Sequence, residues 1–318
     1  MSLRVAVQMD PLESINIAGD SSFALMLAAQ ERGHGLFHYD VDSLTLDAND
    51  RLWALVQPVE VRDIPGDHFI AGEPQRIDLG RGIDVVLMRQ DPPFDMGYIT
   101  ATHLLERIGN ETLVVNDPRA VRNSPEKMLV LDFRRFMPPT LVTRSVDEAR
   151  RFQEEHGAVV VKPIHGNGGK AIFRIPENGE NLSALFEVFN RNWPEPHMLQ
   201  PFLPEVAEGD KRIVLVDGEV AGAINRRPGK GEFRSNLAMG GSAEPTTLTA
   251  REEDICAAMG PVLKELGLIF VGIDVIGGKW LTEINVTSPT GIVAIDKFNG
   301  TDTAGRIWDA IESRLTEN

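Results

Sequence analysis

Cysteine is almost missing: Cys256 stands alone among 318 residues, which excludes an intrachain disulfide framework. Its place in an apolar helical run suits a buried thiol rather than a nucleophile. Long apolar runs are missing too. No stretch approaches the roughly 18 consecutive apolar residues of a membrane span, and Met1 to Asp10 lacks the apolar segment of a signal peptide. No membrane partner is therefore expected, and the expected location is the cytoplasm. Positive charge is scarce, with 32 Lys and Arg against 47 Asp and Glu and a net charge of −15. A nucleic-acid binder needs a dominant basic surface, so nucleic acid is excluded as a partner. The seven histidines offer one close pair, His34 and His38, which Gly33 and Gly35 keep off any common helix face, so no zinc site is expected. Neither a Ser-His nor a Cys-His arrangement nor an internal repeat is visible. The chain does have length and 42% hydrophobic content, enough for two or three units with their own cores.

The pattern along the chain is α/β. Apolar Leu3–Met9, a helix over 21–32 and Leu36–Tyr39 begin a βαβ unit. Leu44–Leu46 and Leu52–Val61 flank Asn49-Asp50 as a hairpin, and Val85–Arg89 and Leu113–Asn116 read as buried strands around a helix over 99–107, so a parallel or mixed sheet covered by helices is expected. A new unit is expected near 116–124, where Asn116-Asp117-Pro118 ends a strand and Ser124-Pro125-Glu126 supplies a helix cap and an N1 proline. Ser145 and Glu148 form a capping box for a helix ending at Gly157, followed by a strand from Val159 into Lys162. After a strand at Ile172–Ile175 and a helix over 181–191, Met198–Leu203, with Pro201 and Pro204 close by, reads as a short connecting strand and a hinge between lobes. Asp217-Gly218 is a hairpin turn, and Thr249 and Glu252 cap a helix that stops at Gly267. The segment 226–243, rich in Gly and Arg, is too poor in large apolar residues to pack alone.

Three places carry residues suited to chemistry, each with an ordinary reading beside the functional one. Around Gly277-Gly278, Asp274, Glu283 and Asn285 lie on a predicted hairpin. With an even-numbered loop Asp274 would stand opposite Leu281, and the three would share one face. Three oxygen ligands suit Mg²⁺, which is commonly held by one or two carboxylates and substrate phosphates; a solvated polar strand face would look the same. His165-Gly166-Asn167-Gly168-Gly169-Lys170 joins two strands, so it is neither a P-loop nor a dinucleotide fingerprint. It is either a plain turn or a loop whose amides cover phosphates. Lys162 ends a buried valine strand and needs an anion, a salt bridge or an exit to water. Arg226, Arg227, Lys230 and Arg234 place positive charge in the 226–243 segment, either as a lid over anionic reactants or as a solvated loop.

Lys127, Lys162, the Gly166–Gly169 loop, Arg212, the basic segment and the D…E-I-N hairpin together resemble the ATP-grasp superfamily of carboxylate–amine ligases. Further blocks resemble the prokaryotic glutathione synthetase family: Asn16-Ile17 with Asp20–Ala24, Met88-Arg89 with Asp91–Asp95, Gly209–Arg212, Asn236-Leu237-Ala238 with Gly240-Gly241, and Glu283–Thr290. The resemblance implies an ATP-grasp fold with an N-terminal α/β (pre-ATP-grasp) substrate domain over 1–123, a small central lid lobe over 124–203, and a C-terminal lobe over 204–318 whose lid loop is 226–243. It implies ATP, with Lys127, Lys162 and the loop Gly166, Asn167, Gly168 and Gly169 at the phosphates and Gln200 and Leu203 at the adenine. It implies Mg²⁺ or Mn²⁺ on Asp274, Glu283 and Asn285. The peptide falls to Arg89, Asn285, Ser288 and Thr290, and catalytic charge to Arg212, Arg226 and Arg234. The implied reaction joins glycine to γ-glutamylcysteine through an acyl phosphate, in a homo-oligomer. Another ATP-grasp ligase, or a nucleotide-binding protein of this fold without turnover, would share most of these features. The chain departs from the family pattern at His165, commonly Asp, at Ser242, often Arg, and at Gly291–Ala294, which lacks an Arg-Glu pair often found there.

Overall fold

Turn chemistry and strand alternation divide the chain among three sheets. The computed structural model describes residues 2–236 and 240–317. The first sheet contains β1 (Arg4–Gln8), β2 (Gly35–Tyr39), β3 (Thr45–Leu46), β4 (Leu52–Val61), β5 (Phe69–Ala71), β6 (Gln75–Asp78), β7 (Val85–Met88) and β8 (Leu113–Val115). Its order is β3-β4-β2-β1-β7-β8, with β5 and β6 also paired to β4. The β2-β1-β7-β8 strands are parallel and β4 is antiparallel, so the sheet is mixed. Helices α1 (Ser21–Glu31), α2 (Leu79–Gly82) and α3 (Met96–Glu106) belong to this region. Asp20 and Asp95 cap α1 and α3 through their carboxylates, accepting from the Phe23 and Tyr98 N–H groups.

Two short helices, α4 (Pro118–Asn123) and α5 (Glu126–Leu129), lead out of it. The cap signature expected at Ser124-Pro125 lies one helix earlier: Asp117 caps α4 with Pro118 at its start, whereas Pro125 itself precedes α5 with no side-chain cap. The second sheet, β11-β10-β12-β9, is antiparallel. It comprises β9 (Leu141–Thr143), β10 (Val159–Pro163), β11 (Phe173–Ile175) and β12 (His197–Pro201), packed with α6 (Val146–His156) and α7 (Leu182–Asn192). The segment expected to be a hinge is β12, an inner strand flanked by β9 and β10. The third sheet, β15-β14-β13-β16-β17, contains β13 (Asp210–Val216), β14 (Glu219–Arg227), β15 (Ser242–Pro245), β16 (Phe270–Ile276) and β17 (Trp280–Asn285). Helices α8 (Ala250–Glu265), α9 (Ile292–Asn299) and α10 (Thr303–Glu317) accompany it, and Thr249 and Glu252 complete a reciprocal capping box at α8.

Burial divides the molecule differently from the order of the sheets. Two large apolar clusters each combine first-sheet and third-sheet residues, such as Ala6 and Val86 with Ile273 and Leu281, or Val5 and Phe23 with Val214 and Trp308. The second sheet keeps a smaller core of its own, around Val159, Val161, Phe186, Phe189 and Leu199. Met198 of β12, with Val142 packed against it, joins this sheet to the first of the large clusters. No described helix is long and apolar enough to cross a membrane.

Candidate active site

The hairpin β16–β17 sets the site by a geometry that differs from the expected one. Its loop is three residues long, Gly277-Gly278-Lys279, between Ile276 and Trp280. Both glycines have φ near 63°, where side chains are strained. An odd loop with plain pairing would put Asp274 opposite Thr282 and turn Glu283 to the other face. Instead the register shifts between Asp274 and Val275, so Asp274 pairs with Glu283 and Gly272 with Asn285, while Val275 pairs with Leu281. Thr282 is the extra residue, and its hydroxyl donates to the Asp274 carbonyl at 3.1 Å. A bulge thus restores the common face of Asp274, Glu283 and Asn285, in place of the Asp274–Leu281 register read from the sequence.

Asp274 is buried and clamped. Its Oδ1 accepts from Arg212 Nε at 2.6 Å and its Oδ2 from Arg212 Nη2 at 3.0 Å, while Arg226 Nη2 stands 3.0 Å from Oδ1. Gly272 permits this: a β-carbon there would meet Arg212 Cδ, Nη1 and Cζ at 3.1–3.4 Å. Arg226 is not in a flexible segment but in β14, 4% exposed, and also binds Asp210 at 2.6 Å; Arg227 is in the same strand. Burial opposes the charge of Asp274, yet the two arginines outweigh it and hold its carboxyl below the usual range. Burial instead raises Asp210, whose second oxygen accepts from the Ser235 hydroxyl.

Glu283 meets lysines. Lys127 Nζ is 3.2 Å and Lys162 Nζ 3.7 Å from the same Oε1. Both ammonium groups are buried, and burial lowers Lys162 to about 8 despite Glu283. Burial also opposes the charge of Glu283, but the lysines keep its carboxyl low. Lys127 further donates to the Gly166 carbonyl, and Arg234 Nη1 to that of Gly169 at 3.2 Å, so the glycine loop is held from both sides. Arg234 also pairs with Glu232.

Two cavities flank this axis. One, about 660 Å³, is lined by Val160, Lys162, Gln200, Leu203, Phe233 and Arg234, with Asp274 and Glu283 at its floor. The other, about 870 Å³, is lined by Asp91, Glu126, Asn167, Gly168, Arg212, Asn285, Ser288 and Thr290. Its wall is pinned to the first sheet: the Ser288 hydroxyl donates to Gln90 O at 2.6 Å, and Arg89 donates to Ser22 Oγ and Pro289 O, both at 2.9 Å. Arg212 Nη1 reaches the Thr290 carbonyl at 3.2 Å. Arg89 therefore braces this wall, with its guanidinium bonds directed to Ser22 and Pro289.

Oxygen donors at the floor suit a hard cation. Asn285 Nδ2 donates to Gly272 O at 3.1 Å, which directs its oxygen away from that bond, and among the described residues Glu283 is tied through one oxygen. Among the described residues no group of three or more His, Cys, Asp or Glu is arranged to hold a metal. A cation at this face would need phosphate oxygens to complete its shell, as Mg²⁺ commonly does.

Sequence reasoning missed three side chains. Glu126 accepts from the Thr287 hydroxyl at 3.1 Å, and burial pushes its carboxyl up to about 7; its signal was its place beside Lys127. Asp210 shares the β13 face of Arg212 by the strand period of two. Phe94, whose ring lies 5.6 Å from that of His165, brings the first-sheet region to the glycine loop. Of the segment read as a lid, Leu237, Ala238 and Met239 lie outside the described residues, and Ser242–Pro245 is strand β15.

Two family models match in tandem: the prokaryotic glutathione synthetase N-terminal domain over residues 3–122, and the prokaryotic glutathione synthetase ATP-grasp domain over 126–300. The chain is 57% identical over 314 residues to the glutathione synthetase of Bradyrhizobium diazoefficiens, covering 99% of both chains. It is 54% identical over 310 residues to that of Agrobacterium fabrum, covering 98% of this chain and 96% of the relative. Among solved structures, D-cycloserine synthetase DcsG aligns with a TM-score of 0.68 at 17% identity, over 98% of this chain and 99% of that one. The ATP-grasp ligase PsnB, complexed with a phosphomimetic variant of its minimal precursor, Mg and ADP, aligns with a TM-score of 0.61 at 19% identity, over 99% of both. The structural likeness carries the ATP-grasp fold, and the sequence matches carry the family. The chain belongs to the prokaryotic glutathione synthetase family of ATP-grasp ligases.

Proposed function

We propose that this chain joins glycine to γ-L-glutamyl-L-cysteine with ATP, giving glutathione, ADP and phosphate. The observation that carries the reading is the convergence of Lys127 and Lys162 on one oxygen of Glu283, beneath the glycine loop and between two cavities. An arriving triphosphate offers both ammonium groups a stronger anion and releases Glu283. ATP then occupies the cavity of Gln200 and Leu203, with its phosphates against Lys127, Lys162 and residues 166–169, and the peptide takes the cavity of Asn285, Ser288 and Thr290. Mg²⁺ or Mn²⁺ on Glu283 and Asn285, with Asp274 beside them, would neutralise phosphate charge.

In this reading the cysteinyl carboxylate attacks the γ-phosphorus, the bridging bond to ADP breaks, and an acyl phosphate forms. The glycine amine attacks the acyl carbon, phosphate leaves, and the amine proton passes to phosphate or water. Arg212, Arg226 and Arg234 supply fixed positive charge along this path, and the task of the protein is alignment and exclusion of water. The reading divides the chain into a substrate domain (1–123), a central lobe (124–203) and a C-terminal lobe (204–318), and takes the enzyme as a cytoplasmic homo-oligomer. ADP and glutathione should appear together only with ATP, divalent cation, γ-glutamylcysteine and glycine all present. Glycine-independent turnover, or turnover that needs a different amine, would reject it.

A further inference from the structure

The wall of the Gln200 cavity contains a hydrogen-bond chain that fixes one amide by elimination. On β10 and β12, Val160 stands opposite Gln200, and the alternate residues Val159, Val161 and Leu199 pack into the core of the second sheet. The β12–β9 register, Leu199 against Leu141, brings Thr140 next to Gln200. The Thr140 hydroxyl has one proton, and it is donated to the Pro138 carbonyl at 2.8 Å. Towards Gln200, at 3.0 Å, Thr140 Oγ1 can then only accept, so the Gln200 group facing it must be the NH₂. The amide oxygen is left for the cavity that Gln200 lines. Gln200 is 2% exposed, so reversing the amide would either set two acceptors, Oγ1 and Oε1, against each other or take the hydroxyl proton from the Pro138 carbonyl, at a cost in either case.

We infer that Thr140 is a specificity-determining positioning residue: by fixing the Gln200 amide it makes the cavity select a purine with a 6-amino group over one with a 6-oxo group. The inference rests on the proposed ATP site. Adenine presents a donor at that position and hypoxanthine or guanine an acceptor, so a fixed amide oxygen satisfies the first and faces the second unpaired. Of the neighbouring backbone donors, Pro201 has no N–H and the Phe202 N–H is given to Ala158 O.

Calorimetric binding of ATP and of ITP, which carries a 6-oxo group, by the full-length protein tests this. The unmodified protein should prefer ATP by about tenfold or more, the size of one unmet buried hydrogen bond. Thr140→Val leaves the amide free to turn, and the preference should fall to within about threefold, ATP weakening and ITP gaining, whereas Thr140→Ser, with the same hydroxyl, should keep it. An unchanged ATP:ITP ratio in Thr140→Val, or equal weakening of both nucleotides, overturns the inference. If Thr140→Val fails to fold, Gln200→Leu gives the same readout: a preference that survives loss of the amide overturns it. Failure of the unmodified protein to bind ATP at all would instead reject the proposed function beneath it.

Discussion

Asp274 and Glu283 face each other across one rung of the same hairpin, yet opposite kinds of cation hold them. Asp274 has the planar fork of Arg212 on both oxygens, Arg226 beside it and burial around all three. Glu283 has two ammonium groups on a single oxygen. A guanidinium fork fixes direction, whereas an ammonium is a point charge on a flexible stem that can exchange partners. The difference separates framework from working part: the arginine clamp orders the floor before any ligand arrives, and the lysine pair is the reserve of charge that the proposed triphosphate would take over.

That contrast can be broken at its stronger end first. Arg212→Ala should leave Asp274 buried with half its clamp and destabilise the fold by about 3–5 kcal/mol, read by chemical denaturation. A loss under 1 kcal/mol would mean that the clamp is no framework. Glu283→Gln should lower ligase turnover about 100-fold, roughly 2.7 kcal/mol in the barrier. Its unfolding midpoint should shift much less than that of Arg212→Ala; a comparable shift would erase the distinction between the two carboxylates. Glu126 provides the mildest test, as a third carboxylate that burial dominates. Its folded value near 7 lies above the unfolded value of 4.5, so its contribution is fully favourable below about 4.5 and is lost as pH rises through 7. Glu126→Gln should therefore be more stable than the parent above pH 7, by roughly 1–2 kcal/mol after allowance for partial solvent access, and the gap should close towards pH 4.5. Denaturation curves at pH 5 and pH 8 with equal differences would remove burial as the cause.

Much of this was legible in the chain because local chemistry announced it. Thr249 with Glu252 and the Asp217-Gly218 turn are short-range signals, and they appear where expected. The valine run that ends in Lys162 likewise marked a lysine that needs an anion, and its ammonium stands beside Glu283. Strands β5 and β6 were not legible, since Phe69–Ala71 and Gln75–Asp78 are short, interrupted by Gly72 and Pro74, and defined only by pairing to β4. Arg226 was read as part of a basic segment because composition cannot show that Asp210 and Asp274 wait for it across a sheet. For Met198–Leu203, Pro201 and Pro204 suggested a boundary, but Pro201 closes β12 and Pro204 begins the next turn, so neither interrupts the ladder. The bulge at Thr282 has no sequence signature at all, because a threonine in a strand looks the same paired or unpaired.

That bulge also makes the site a matter of parity. The odd loop at Gly277–Lys279 and the one surplus residue at Thr282 cancel, and the cancellation alone returns Glu283 to the side of Asp274. Deleting Thr282 would leave plain pairing with Glu283 still opposite Asp274, and a residue added to the Gly277–Lys279 turn would lengthen it without moving the rungs beyond, whereas a slip of one strand by one residue would turn Glu283 away from Asp274 and both lysines. The hairpin can therefore change length in its turn or lose its bulge, but its register cannot slip by one residue, a restriction that no list of ligands would reveal.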